Sequence, residues 1–212
     1  MHIQSKRLEE LDHIRVFSMI AVILLHTTST YIFGDSRFTL LGMNAAFIIN
    51  QAARFAVPAF ILISGISLSF SKNDIPFFEF LKKRTKKIIL PYLFWCVIYY
   101  LYNNNFSLQN INAVDFFKGI LTGSFAVHLY FVVVMIQLYL LYFFLKRFIE
   151  KHRSNALILS FAITFFFQES IYLNCFGIRI LPEFLSPYSY LLFPTWLFYF
   201  VAGMCLSREN LD

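Results

Sequence analysis

Six long apolar stretches, at about residues 14–33, 43–70, 88–103, 127–145, 155–174 and 188–206, account for most of the chain. A run of roughly 20 such residues is what a helix needs to cross the hydrocarbon core of a bilayer. Inside that core every backbone N–H and C=O must find a partner within the protein, which leaves α-helices as the natural spanning element for segments of this length. The expectation is an all-α, polytopic membrane helix bundle of about six spans, forming a single membrane domain over residues 1–212.

Composition supports that solvent assignment. Hydrophobic residues make up 58% of the chain and charged residues 14%, with 28 Phe and 12 Tyr, whereas soluble domains hold about 25% charged residues. A water-soluble fold could not hide this aromatic load, but lipid-facing helices and interfacial belts accept it.

The net charge of +6 would fit nucleic acid only if the bases formed a continuous groove. They gather instead in short runs between apolar segments. Alternating spans place Lys6 and Arg7, the run Lys82, Lys83, Arg84, Lys86 and Lys87, the run Lys146, Arg147, Lys151 and Arg153, and Arg208 on one side. The positive-inside rule makes that side cytoplasm, so both ends are expected there, in the cell (cytoplasmic) membrane. The other side carries only Arg37, Lys118 and Arg179 as strong bases, together with a polar loop at 103–112. Pro182, Pro187 and Pro194 bracket the entry to the last span.

Cys96, Cys175 and Cys205 have no short spacing, so they indicate neither a disulfide framework nor a metal site, and a packing role is expected for all three. The first apolar stretch is long and no small-residue cleavage site follows it, which reads as a retained helix rather than a cleaved leader.

Function in a bilayer is sought where ionisable groups sit at depth, because a charge at a helix centre costs about 2.5–3.5 kcal/mol even on the lenient insertion scale. Arg15 and His26 are eleven residues apart. At 100° per residue they return to within about 20° of one face, about 16 Å apart along the axis, with Ser18 and Val22 close to the same stripe. This describes a two-ended site; the competing account has Arg15 snorkelling to lipid phosphates and His26 hydrogen-bonded to a neighbouring helix.

In the second stretch Gln51 and Arg54 precede Pro58, which has no N–H to give the Arg54 carbonyl, so a kink or polar pocket is expected. Ser64 and Gly65 suit close helix packing, or alternatively close approach of a ligand. His128 begins the fourth stretch beside Tyr130 and Phe131, where an ordinary interfacial residue competes with a binding role. Glu169 with Gln168 is a further, weaker candidate near the outer end of the fifth stretch.

The opening LDHIRVFSMIAVILLH, with Arg15, ten residues and then His26, resembles the start of membrane-bound acyltransferase family 3. The likeness continues in order. RFAVPAFILISGISL is similar to the family's second-helix pattern, here Arg54, Pro58, Phe60, Ser64 and Gly65. KKRTKKIILPYLFW is similar to its basic loop running into Pro-Tyr, here Arg84, Lys87, Pro91 and Tyr92. HLYFVVVMIQLYL matches a His-Leu-aromatic-Phe pattern with Tyr130 where Trp is common, and FYFVAGM a Phe-rich helix with a Gly.

The resemblance implies transfer of an acyl group, usually acetyl from acetyl-coenzyme A, onto a hydroxyl of a cell-envelope glycan or lipid-linked sugar, with no metal. His26 is then the expected catalytic base or acyl carrier, and Arg15 its partner at the cytoplasmic mouth. Arg54, Arg84, Ser64 and His128 are the expected substrate- or donor-binding residues. The family's membrane domain has about ten helices, so a further polypeptide segment completing the bundle is an implied partner, beside membrane lipid. The rival class is a non-enzymatic carrier or exporter of a glycan or small solute, which also places charges and broken helices near the midplane.

Overall fold

The computed structural model describes residues 2–34, 40–70, 76–107 and 112–208. These are mostly helical, with no strand among them: α1 (His2–Gly34), α2 (Leu40–Ala53), α3 (Ala56–Ser69), α4 (Phe77–Asn103), α5 (Ala113–Thr122), α6 (Tyr130–Lys151), α7 (Arg153–Cys175) and α8 (Leu197–Arg208). By length and composition, Glu10–Ser29, Ala45–Ser69, Val127–Lys151 and Arg153–Cys175 can each cross a membrane. The expected all-α membrane bundle is therefore present.

The two remaining apolar stretches take other forms. Residues 88–103 are the second half of α4, whose first half carries the basic run, and 27 continuous helical residues mix the two. The last stretch is only partly α-helical: Ser186–Leu191 and Phe193–Trp196 are 3-10 turns, and α8 begins at Leu197. Pro187 and Pro194 each open one of those turns, where the missing proline N–H would break an α-helical ladder.

The chain divides into two compact units, residues 1–70 with 202–212, and residues 71–201. In the first unit α1 runs without interruption and presents Leu11, Ser18, Ala21 and Thr28 as a buried stripe, while Phe17, Ile20, Ile23 and Leu24 stay exposed, as lipid-facing residues should. The helix starts twelve residues before the apolar stretch at 14–33 because Gln4, Lys6, Arg7, Leu8, Glu9 and Glu10 are good helix formers.

The expected kink is where Pro58 dictates. α2 ends at Ala53 and α3 begins at Ala56, and the Arg54 N–H turns back to the Gln51 carbonyl at 3.3 Å. Across this joint Ala21, Ala53 and Ala56 form a buried cluster joined by Val22 and Leu25.

Gly203 of α8 belongs to the same unit, and the backbone of α3 supplies the reason for a glycine there. A Cβ at this position would lie 2.1 Å from the Leu62 carbonyl oxygen of α3 and 3.1 Å from the Ile66 nitrogen. Backbone cannot yield as a side chain can, so Gly203→Ala should cost at least the ~1–3 kcal/mol of ordinary overpacking. Thermal unfolding in detergent should show a lowered midpoint; an unchanged midpoint would mean that the close approach is not maintained.

In the second unit Asn112 opens a helix that hydropathy alone does not announce. Asn112 caps α5 by accepting from the Val114 N–H at 2.9 Å, and Gly123 closes it in the left-handed conformation, φ 65°. Tyr92 donates from α4 to the Ile120 carbonyl at 2.5 Å, and Tyr100 both donates to the Asn112 carbonyl at 3.1 Å and accepts its N–H at 2.8 Å. At ten residues α5 is too short to span. Cys96 and Cys205 are buried as packing residues, whereas Cys175 is exposed at the end of α7, where lipid or water rather than a neighbouring helix surrounds it.

The irregular backbone of residues 186–196 is held by side chains of α6 and α7. Gln137 donates to the Leu191 carbonyl at 2.8 Å and accepts the Phe193 N–H at 3.0 Å. Thr164 donates to the Pro194 carbonyl at 2.9 Å and accepts the Phe198 N–H at 3.0 Å, and Gln168 donates to the Thr195 carbonyl at 3.2 Å. Non-helical backbone survives at membrane depth only where such partners replace the helical ladder.

Candidate functional site

Arg15 and His26 lie on one unbroken helix, so the spacing of eleven residues does become a separation of about 16 Å along a common axis. Both are half-buried, on the side of α1 that packs rather than the side that faces lipid. The Arg15 guanidinium pairs with the Asp12 carboxylate one turn earlier and donates to the Ser67 hydroxyl of α3 at 2.6 Å. Its fork is thus aimed across the helix pair at a fixed point, which simple snorkelling toward lipid phosphate would not require.

Between the two ends the stripe is built of small groups. Ser18 is completely buried and its hydroxyl has no hydrogen-bond partner, and Ala21 faces Ala53 and Ala56. Just beyond His26 the hydroxyls of Thr27, Thr28 and Ser29 all bond back to carbonyls one turn earlier, at 2.6 to 3.2 Å. Such back-bonding suits residues that must hide hydroxyls in an apolar span.

Asn50 of α2 completes this region, and sequence reading missed it. Buried to 4% exposure, it donates to the Leu25 carbonyl at 3.0 Å, the Thr28 hydroxyl at 3.1 Å and the Ser29 hydroxyl at 2.9 Å. The available signal was an amide in the middle of the apolar stretch 43–70, opposite a Thr-Thr-Ser run.

The other expected site residues divide. Arg54 is exposed at the α2–α3 joint, in the same unit as Arg15 and His26. Ser64 donates to the Phe60 carbonyl of its own helix at 2.8 Å, which fits the packing alternative, and Gly65 beside it is buried. The side chain of Arg84 lies outside the described residues, although its backbone belongs to α4. Its neighbours Lys82, Lys83, Lys86 and Lys87 are exposed; the Lys83 ammonium, 2.8 Å from Glu79, holds that carboxyl below its usual range.

His128 sits exposed in a 3-10 turn, edge-on to the ring of Tyr99 at 5.4 Å, an interfacial setting that its aromatic neighbours explain without a substrate. It and Arg84 belong to the second unit. Gln168, paired above with Thr195, spends its amide on structure, and Glu169 is half-buried. Among the described residues no group of His, Cys, Asp and Glu is placed to hold a metal ion.

The family described as "Acyltransferase domain" matches residues 8–211. A protein of Bacillus subtilis (strain 168), YfiQ, named as a candidate membrane-bound acyltransferase, is 27% identical over 212 residues, covering 96% of this chain and 57% of that protein. The chain therefore spans little more than half the length of this curated relative. Comparison with solved structures finds no match.

Proposed function

We propose that this chain, which belongs to the acyltransferase domain family, carries the catalytic helix of a membrane enzyme that moves an acyl group from a coenzyme A thioester to a hydroxyl. The acyl group is acetyl and the acceptor a cell-envelope carbohydrate or lipid-linked sugar. The enzyme resides in the cytoplasmic membrane, with the basic runs and both ends of this chain facing the cytoplasm. A further polypeptide segment completes the bundle.

The observation that carries the reading is the placement of Arg15 and His26 on one packed face of α1, the first gripped by Asp12 and Ser67. In the proposed step the His26 imidazole accepts the acceptor's O–H proton while that oxygen attacks the thioester carbonyl. The C–S bond breaks, the coenzyme leaves as thiolate, and the imidazolium returns the proton to it. In the alternative role for the same residue the imidazole nitrogen takes the acyl group first and the hydroxyl receives it in a second step. Arg15 pairs with donor phosphate through its planar fork, and the basic run with Arg84 adds an attractive field for the anionic donor. Arg54 has a positioning role.

The test uses membranes carrying the protein at full length and acetyl-coenzyme A labelled in the acetyl group. Label should enter envelope material and free thiol should appear with it. Absence of both across a range of acyl donors would overturn the reading, and solute movement without thioester cleavage would favour a carrier. Arg15→Gln should raise the KM for the donor about 10-fold or more, the ~1.5–3 kcal/mol of a hydrogen bond to a charged group. An unchanged donor KM would remove Arg15 from donor binding.

A further inference from the structure

We propose that Asn50 is a positioning residue that sets the rotation and height of α1 and thereby aims His26, an inference that rests on the reading of His26 as the group handling the acyl transfer. The three acceptors of its amide bracket that histidine: Leu25 immediately precedes it, and Thr28 and Ser29 follow within one turn.

The hydrogen-bond inventory makes the fit directional. The Thr28 hydroxyl donates to the Leu24 carbonyl at 2.6 Å and that of Ser29 to the Leu25 carbonyl at 2.7 Å. Each proton is spent on α1 itself, so what remains toward α2 is lone pairs, which only a donor can use. The Asn50 NH2 group has two hydrogens and shares them among three acceptors. A valine or leucine there would leave those acceptors facing hydrocarbon.

Elsewhere the described contacts between α1 and its neighbours near this level are apolar packing, which is less directional than a hydrogen bond. Ala21, Ala53 and Ala56 meet there with Val22 and Leu25 packed against them, and the completely buried Ser18 hydroxyl makes no hydrogen bond. Arg15 is tied to Ser67 at the far end, about 16 Å from His26. The Asn50 contacts hold the helix by directed hydrogen bonds at the level of the histidine.

Geometry supplies the size of the effect. An imidazole tip about 6 Å from the helix axis moves about 2 Å for a 20° rotation, and misplacement of about 1 Å at a reacting centre can cost about 100-fold. Removing Asn50 should therefore appear in turnover rather than in donor affinity.

The experiment measures thiol release and label transfer from acetyl-coenzyme A by full-length protein in membranes, at matched expression. Asn50→Leu should lower kcat at least about 10-fold with the donor KM within about twofold. Thr28→Val with Ser29→Ala should lower it similarly, and adding Asn50→Leu to that background should cost much less than it does alone, because two of the three Asn50 contacts are already gone and only that to the Leu25 carbonyl is left to lose. The acceptor-side pair also carries the test alone if Asn50→Leu does not accumulate.

If kcat is kept in Asn50→Leu, or in the acceptor-side variant, while His26→Ala abolishes transfer, the positioning role falls and the role of His26 stands. A rate retained in His26→Ala overturns both. Independent, additive losses would make Asn50 a general stabiliser and also overturn the proposal.

Discussion

Replacing His26 by alanine should lower acyl transfer by about 100- to 10,000-fold at matched expression, the usual contribution of a positioned general acid–base. The residue is half-buried on the packed face of a helix that continues through it in both directions, so loss of the ring leaves the backbone in place. Loss of the ring in a spanning helix that is chiefly stabilised elsewhere should leave thermal stability within about 1–2 kcal/mol. His26→Gln sharpens the result, because an amide keeps hydrogen-bonding capacity but cannot take a proton at neutral pH. Equal loss in both variants points to proton or acyl handling; full activity in the glutamine variant would reduce the histidine to a hydrogen-bonding group. Acid quenching during the first turnover separates the two covalent histories, since a carrier holds labelled acyl on the protein and a base does not.

The second large effect is on stability. Gln137→Leu should destabilise the protein by about 2–4 kcal/mol, because the Leu191 carbonyl and the Phe193 N–H each lose a partner and an unsatisfied buried group costs about 1–3 kcal/mol. The α6 helix itself should persist, since leucine is a good helix former. The change should show as faster hydrogen exchange at the Phe193 amide and as a lower unfolding midpoint in detergent. Gln137→Glu should recover the loss most fully when its carboxyl is protonated, for the carboxylate can still accept from Phe193 but cannot donate to Leu191 and is costly to bury. Protection unchanged at Phe193 in the leucine variant would show that water replaces the side chain.

How much of this was legible in sequence depends on how local the cause was. The Arg15–His26 stripe follows from helical periodicity alone, and the α2–α3 joint from the missing N–H of Pro58 four residues after Arg54. Gly203 was visible as a motif position, but its reason, the Leu62 carbonyl of α3, was not. The 3-10 turns of 186–196 escaped because their backbone partners, Gln137, Thr164 and Gln168, come from helices 20 to 60 residues earlier. α5 escaped for a different reason: hydropathy windows built for spans overlook a ten-residue helix, although Asn112 and Gly123 are ordinary cap residues at its ends. For the site, charged residues drew attention and the neutral amide of Asn50 did not.

The packing of Gly203 against α3 joins residues 202–212 to the unit formed by residues 1–70. Everything from Ser71 to Val201 must be synthesised before the glycine that meets Leu62 emerges. At translation rates of about 5–20 residues per second, that interval is roughly 7–26 seconds. For that time the helices bearing Arg15, His26 and Asn50 exist without their closing piece, so the insertion machinery or lipid must cover the waiting face of α3. A ribosome that pauses within the second unit prolongs this stage, and a chain released early can never complete it.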